Sequence, residues 1–414
     1  MFTFQWQQVT IMEENKILVI DALMGSGKTT WAIKDINEHP EDNILYITPY
    51  LDETARITKS VNREMKSPQF RNGQRKYDDL CNLLEAGEDI ASTHALFLQL
   101  DHNCKDAIRQ GEYTLYLDET ITAIEPYELA HKNDIEYLVD KNSITIEDSG
   151  FIKWLENDDL DTRYNPIKIL AQNRSLFYVN KKLLMWRYPP EIFKLFKKVI
   201  IMTYMFDASI LNYYFKFNGI SYDLKTIKPK DNQYVLCDYC KPDLTEYRKR
   251  IHIYNGYDIN DNFGTMKKTA LSSNWFKNTG NAEKIKVLKN NIYNYFHNKV
   301  KAKTDQIIWT TFKMAEPKLK GKGYANGFVS CNCRATNDYS NARYLAYCLN
   351  VYPHVGVSQF FEQHGIEIDA DSYALSEMIQ WIWRSNIRAG GEIWLYIPSK
   401  RMRTLFDIWL KGEN

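Results

Sequence analysis

Lys28 and Thr29 close a run of small residues, Ala22-Leu23-Met24-Gly25-Ser26-Gly27. That order of residue types is suited to holding phosphate. The glycines let the backbone curl so that several N–H groups point at one place, and the lysine adds a full positive charge. The apolar run Ile17 to Ile20 leads in as a strand, and a helix opening at Thr30 would aim its positive end at the same place. Gly25, Ser26, Gly27, Lys28, Thr29 and Thr30 are therefore expected to bind a nucleoside triphosphate, with the Thr29 hydroxyl on Mg²⁺. The first position of the loop is Ala22 where Gly is usual. A second pair, Asp118-Glu119, ends the apolar run Tyr113 to Leu117. One carboxylate would orient Mg²⁺ and its neighbour would polarise the attacking water, and these roles are given to Asp118 and Glu119 in that order.

Two weaker signals accompany these. Gln380, Arg384 and Arg388 stand four apart, while Ala374, Leu375, Met378, Ile379 and Ile382 recur at helical spacing. One helix would bury the apolar face and present a Gln-Arg-Arg ladder opposite it. Always-charged guanidinium groups read phosphates well, although salt-bridged surface arginines have the same spacing. In the opening Phe4 to Ile11, a glutamine, Gln8, has the paired donor and acceptor that reads an adenine edge. An ordinary polar surface residue is the equal alternative there.

The elements that must position these groups alternate in type. Asn43–Thr48, Asp89–His94, Tyr113–Leu117 and Lys198–Thr203 read as strands with helical stretches between them. That alternation predicts βαβ units and a parallel sheet. The stretch of about 124–194 is longer than one crossover needs, so it is expected as an inserted subdomain. Lys225 to Asn232 reads as a polar linker. Beyond it, Tyr234–Cys237, Ile251–Tyr254, Gln306–Thr310, Gly327–Ser330 and Glu392–Ile397 are candidate strands. The fold expected is α/β, with domain 1 at residues 1–210 and domain 2 at 211–414.

Composition sets the bounds. The chain has 414 residues, 44% of them apolar, with 28 tyrosines and 10 tryptophans, enough for two cores. A net charge of +1 makes any nucleic-acid site a local patch. No run approaches the ~18 apolar residues of a membrane span. Seven cysteines, an odd number in a large chain, fit a reducing cytoplasm. Cys237-x-x-Cys240 and Cys331-x-Cys333 could share a zinc ion, but the second pair has one intervening residue where two to four are usual and no nearby His completes a set, so plain thiols are expected there.

In series, these motifs resemble those of a superfamily 2 helicase or translocase. Ala22 to Thr29 is similar to motif I and Asp118-Glu119 to motif II. Tyr46 to Pro49 is similar to motif Ia, Ser92 to His94 to the next nucleic-acid motif, and Met202-Thr203-Tyr204 to motif III. Ile307 to Thr310 is similar to motif IV, Cys333 to Asn337 stands where motif V belongs, and Gln380 to Arg388 is similar to motif VI. Met205 stands where motif III usually ends in a hydroxyl, and the two arginines are four apart where three is usual. The resemblance implies two RecA-like lobes in tandem with ATP and Mg²⁺ between them, and Gln380, Arg384 and Arg388 answering from the second. It also implies that Thr48, Thr93 and Thr310 grip the backbone of a single strand, DNA ahead of RNA, with little sequence preference. The compact size resembles replication helicases of phages and mobile elements, which implies the cytoplasm of a host and no membrane. Two rivals remain. A phage packaging ATPase would need nuclease carboxylates, for which Asp338, Asp369 and Asp371 are the candidates. An ATP-switched origin-binding scaffold would use the insertion on duplex DNA.

Overall fold

The computed structural model describes residues 17–70, 73, 75–129, 131, 133–155, 162–180, 183–260, 267–331 and 339–413. Gln8, Asp338 and the segment Cys333 to Asn337 lie outside the described residues. The chain forms two compact units, one of residues 17–22, 26–239 and 354–368, the other of 23–25, 240–353 and 369–413.

In chain order the first unit has β1 (Ile17–Asp21), β2 (Ile44–Thr48), β3 (Ile90–Thr93) and β4 (Thr114–Asp118). An inserted subdomain follows, with β5 (Ile124–Pro126), β6 (Ile144–Ile146), β7 (Ile152–Trp154), β8 (Leu176–Val179) and β9 (Leu183–Arg187). The chain then returns through β10 (Lys198–Thr203), β11 (Tyr222–Lys230) and β12 (Gln233–Asp238). The main sheet is seven-stranded in the order β12-β11-β1-β10-β4-β2-β3, and every pairing is parallel except β11 with β12. Its strands read as near-continuous apolar runs because both faces are covered. Val19, Leu45, Leu115 and Ile201 belong to one core, and Ile20, Tyr46, Tyr116 and Ile200 to the core on the other face. The alternation along each strand is the period-two pleat.

The insertion has its own core around Leu138, Ile144, Leu176 and Leu184, with an antiparallel sheet β5-β9-β8 and the hairpin β6-β7. In the second unit, β13 (Ile251–Ile253), β14 (Ile307–Thr310), β15 (Tyr344–Tyr347) and β16 (Ile393–Tyr396) pair in parallel in the order β13-β16-β15-β14. The α/β class, the parallel sheets and the inserted subdomain are as expected.

The boundary is not. The first unit continues past 210 through Tyr239. The stretch expected as a linker is most of β11, and Tyr234–Cys237 lies in the first sheet, not the second. Asp231 and Asn232 both take positive φ, 49° and 62°. That is the conformation a two-residue hairpin turn requires, and Asp and Asn tolerate it best among residues with a side chain. Of the second-half candidates, Gly327–Ser330 makes only an isolated bridge between Phe328 and Trp309, and β15 was not anticipated. One pair of cysteines also departs from the free thiols expected of a reducing cytoplasm. Helices Lys76–Glu85 and His102–Gln110 pack together and bring Cys81 and Cys104 to a Cα separation of 5.2 Å, where they form a disulfide.

Candidate active site

The phosphate loop is built as its sequence implies. Gly25 and Gly27 have φ of 78° and 95°, which only glycine adopts without strain. A Cβ on Gly27 would lie 2.3 Å from the ring of Tyr234 in β12, so the position is closed to side chains on steric grounds too. Helix Lys28–Glu38 begins two residues earlier than expected, and its N-cap Gly27 offers no side-chain acceptor. Its first N–H groups are thus available to an anion. Lys28 is buried and its ammonium turns back to the Ala22 carbonyl. Ser26 Oγ is buried without a hydrogen-bond partner among the described residues. A loop with an orphaned hydroxyl, a buried lysine and an open helix end fits a polyphosphate. Thr29 and Thr30 occupy the first helical turn, part-buried and exposed respectively.

Strand order brings the acidic pair to the same carboxyl edge, because β10 alone separates β4 from β1. Glu119 leaves the strand with φ 70°, its N–H donating to the Met202 carbonyl at 2.9 Å. Thr203 Oγ1 donates to Glu119 Oε2 at 3.1 Å, which places Thr203 beside the pair. Asp118 accepts at Oδ2 from the Tyr46 hydroxyl at 3.1 Å, and its carbonyl lies 3.1 Å from His94 Nε2. Burial, then the neighbouring Glu119, push the Asp118 carboxyl up to about 6, while Lys28 and Tyr46 oppose them. Thr29 and Asp118 are hard oxygen donors, the set that suits Mg²⁺. Tyr46 and His94 were missed as site residues. The signal for Tyr46 was its place on β2, in register with Tyr116 and on the same face as Asp118 two residues on.

The expected ladder does not form. Helix Ala370–Ile382 buries Ala374, Leu375, Met378, Ile379 and Ile382 as anticipated, but stops before Arg384. Ser385 Oγ donates to the Ile382 carbonyl at 2.7 Å and Ser385 itself is extended, so its local hydrogen bond replaces the next helical turn. Gln380 is therefore the one ladder residue on the helix. Arg384 is 5% exposed, and Arg388 is exposed on the short helix Asn386–Ala389. The three threonines also differ from expectation. Thr48 and Thr93 are paired across β2 and β3, but Thr48 and Thr310 are fully buried and Thr93 nearly so. Their hydroxyls are packed at strand ends, not displayed. Asp369 caps its helix and Asp371 pairs with Arg401 at 2.6 Å, so neither resembles a nuclease ligand.

One feature had no sequence signal. A groove of about 1200 Å³ runs between the two helices tied by Cys81–Cys104 and the inserted subdomain. Lys76, Lys105 and Arg109 line one wall together with Asp101 and Asp106, the last paired with Arg109 at 2.8 Å, and Trp186 lies on the other with the buried Tyr188 behind it. Its walls come from segments far apart in the chain.

Comparison with known proteins agrees with this architecture. Residues 124–186 match the YonV middle domain and residues 245–410 the YonV C-terminal Rossmann-like domain. The SPbeta prophage-derived uncharacterized protein YonV of Bacillus subtilis (strain 168) is 40% identical over 420 residues, spanning 96% of this chain and 100% of that protein. A solved structure described as XPD_Helicase covers 96% of this chain and 95% of its own, with TM-score 0.50 and 14% identity. At that identity the likeness is one of fold. The identity to the prophage protein, sustained over both whole chains, shows descent: this chain belongs to the YonV family.

Proposed function

We propose that this chain is an ATP-driven helicase or translocase acting on nucleic acid, DNA ahead of RNA. The observation that carries the reading is the convergence of Lys28, Thr29, Asp118, Glu119 and Thr203 on one edge of a parallel sheet. Lys28 and the amides of the phosphate loop bind and orient the β- and γ-phosphates. Thr29 and Asp118 would hold Mg²⁺, which supplies charge neutralisation on the phosphate oxygens. Glu119 orients and polarises the attacking water, and Thr203 fixes the Glu119 carboxylate. The likeness of fold to the XPD_Helicase structure supports the motor reading over the packaging and scaffold alternatives. The groove, with Lys76 and Lys105 on one wall and Trp186 on the other, suits a single strand, since a base of any identity stacks on a ring while lysines meet phosphates. A prophage relative supports a setting in phage biology and the cytoplasm of a host.

The test is ATP hydrolysis with and without single-stranded DNA and RNA, with Lys28→Ala and Glu119→Gln as controls. Strong stimulation by a strand, abolished in both variants, is the expected result. Wild-type hydrolysis in Lys28→Ala would refute the reading.

A further inference from the structure

Asp21 is the last residue of β1 and only 3% exposed. Its carboxylate accepts two successive backbone N–H groups, from Met205 at 2.9 Å and Phe206 at 2.8 Å. Met205 is held at φ 56°, a left-handed conformation that is unfavourable for a residue with a side chain. The next residue along, Ala22, donates its N–H to the Thr203 carbonyl at 3.0 Å, and Asp21 itself is in register with Thr203. The segment after β10 is thus pinned to the strand that feeds the phosphate loop on both sides of Tyr204. Thr203 in turn donates to Glu119. Asp21 is thus linked to the carboxylate assigned to the attacking water by hydrogen bonds at each end and the short backbone stretch Thr203-Tyr204-Met205 between them.

Burying this carboxyl is unfavourable. Desolvation pushes it up to about 6 despite the two N–H donors and Lys28 on the following helix. Asp207 in the pinned loop pushes the same way, and Tyr222 of β11 also faces it. A neutral cap would cost less to bury, but would offer one acceptor in place of two equivalent ones. The retained charge coincides with the place where the hydroxyl usual at the end of motif III is replaced by Met205.

We propose that Asp21 is a positioning residue that acts through the Thr203–Phe206 loop to place Glu119. The proposal rests on the ATPase reading above. It predicts that loss of the Asp21 carboxylate slows turnover without weakening nucleotide binding, and that its effect is spent once Thr203 is removed.

The experiment is a double-mutant cycle on the full chain: Asp21→Asn, Thr203→Ala and the two combined. The readouts are strand-stimulated kcat and the affinity for a fluorescent ATP analogue. Asp21→Asn is expected to lower kcat by about tenfold or more. Analogue affinity is expected to stay within about twofold, and the double variant to be no slower than Thr203→Ala. An unchanged kcat, losses that multiply, or affinity that falls in step with kcat would each overturn the proposal. A wild type that hydrolyses no ATP under any strand sinks the ATPase reading and this proposal together. A stimulated wild type with an indifferent Asp21→Asn sinks the proposal alone. Amide exchange on the wild type covers the case of a variant that does not fold. Met205 and Phe206 should be protected at neutral pH, because the Asp21 carboxylate holds both N–H groups, as should Ile200 and Ile201 within β10. Fast exchange at neutral pH overturns the proposal.

Discussion

Asp118 carries opposite demands at one atom pair. To hold a metal it must be ionised, yet its surroundings raise its carboxyl from 3.8 to about 6. Protons and Mg²⁺ therefore compete for Asp118, and hydrolysis at limiting Mg²⁺ is expected to fall as pH drops through about 6. Stability runs the other way. A carboxyl whose folded value is raised favours the fold when protonated, and that contribution is lost as pH rises through about 6. Asp118→Asn should then melt at a higher temperature than wild type at neutral pH while hydrolysing nothing, and the gap should close towards pH 4. A variant that melts lower at neutral pH would contradict this account. The Tyr46 hydroxyl, fully buried and 3.1 Å from Asp118 Oδ2, orients the carboxylate. Tyr46→Phe should raise the Mg²⁺ concentration for half-maximal hydrolysis severalfold, an effect of about 1 kcal/mol for one hydrogen bond, and leave kcat at saturating Mg²⁺ nearly intact. Lys28, Asp118 and Glu119 were legible in the sequence because their chemistry is written in adjacent residues. Tyr46 was not, because its contact is diagonal across a strand pairing that had first to be known.

Elements proved legible where periodicity was unambiguous and illegible where a polar stretch took regular structure. The strands β1 to β4 and β10 were found from apolar runs bounded by turn residues. β11 was not, because its exposed lysines and Pro229 resemble a linker, and only pairing with β1 and β12 gives those residues a ladder. The arginine helix failed in the opposite sense. Spacing of four residues continued on paper through Ser385, but the chain's own hydrogen bonds did not continue with it. The groove is the consequence of two elements meeting, a helix pair and the sheet β5-β9-β8. Lys105 is half-buried there and its charge is partly disfavoured by desolvation, with Asp101 and Glu191 opposing. If a strand's phosphates meet this wall, Lys105→Ala should weaken binding across sequences and reduce the salt dependence by about one counterion. Trp186→Ala should cost about 1–3 kcal/mol of strand affinity with little change in that slope. Binding isotherms at several salt concentrations separate the two, and a change in neither would remove the groove from the strand's path.

At the scale of the whole molecule, the chain does not finish one unit before beginning the next. It leaves the first after Tyr239, re-enters it at His354, and leaves again after Ile368. The returning segment carries helix Val355–Gln363, which packs on β5, β8 and β9 of the insertion. Its Phe360 is fully buried and meets Phe177 and Phe217 edge-on at 4.9 and 5.0 Å, while Gly356 lies against Leu183 and Met185. No composition signal marks this segment as belonging elsewhere, because an amphipathic helix is equally at home on any apolar surface, and which surface it covers is decided by the sheet that lacks a cover. The first unit cut at Tyr239 would therefore be incomplete, with those aromatic rings open to water. Phe360→Ala should destabilise the first unit by about 3–5 kcal/mol, the usual cost of emptying a buried phenylalanine site. The measurement is denaturant unfolding followed by limited proteolysis, in which cleavage should appear early within residues 124–186 and late within 369–413. Equal sensitivity of both regions, or an unshifted midpoint, would show that the segment is a passive connection and not part of the first unit's core.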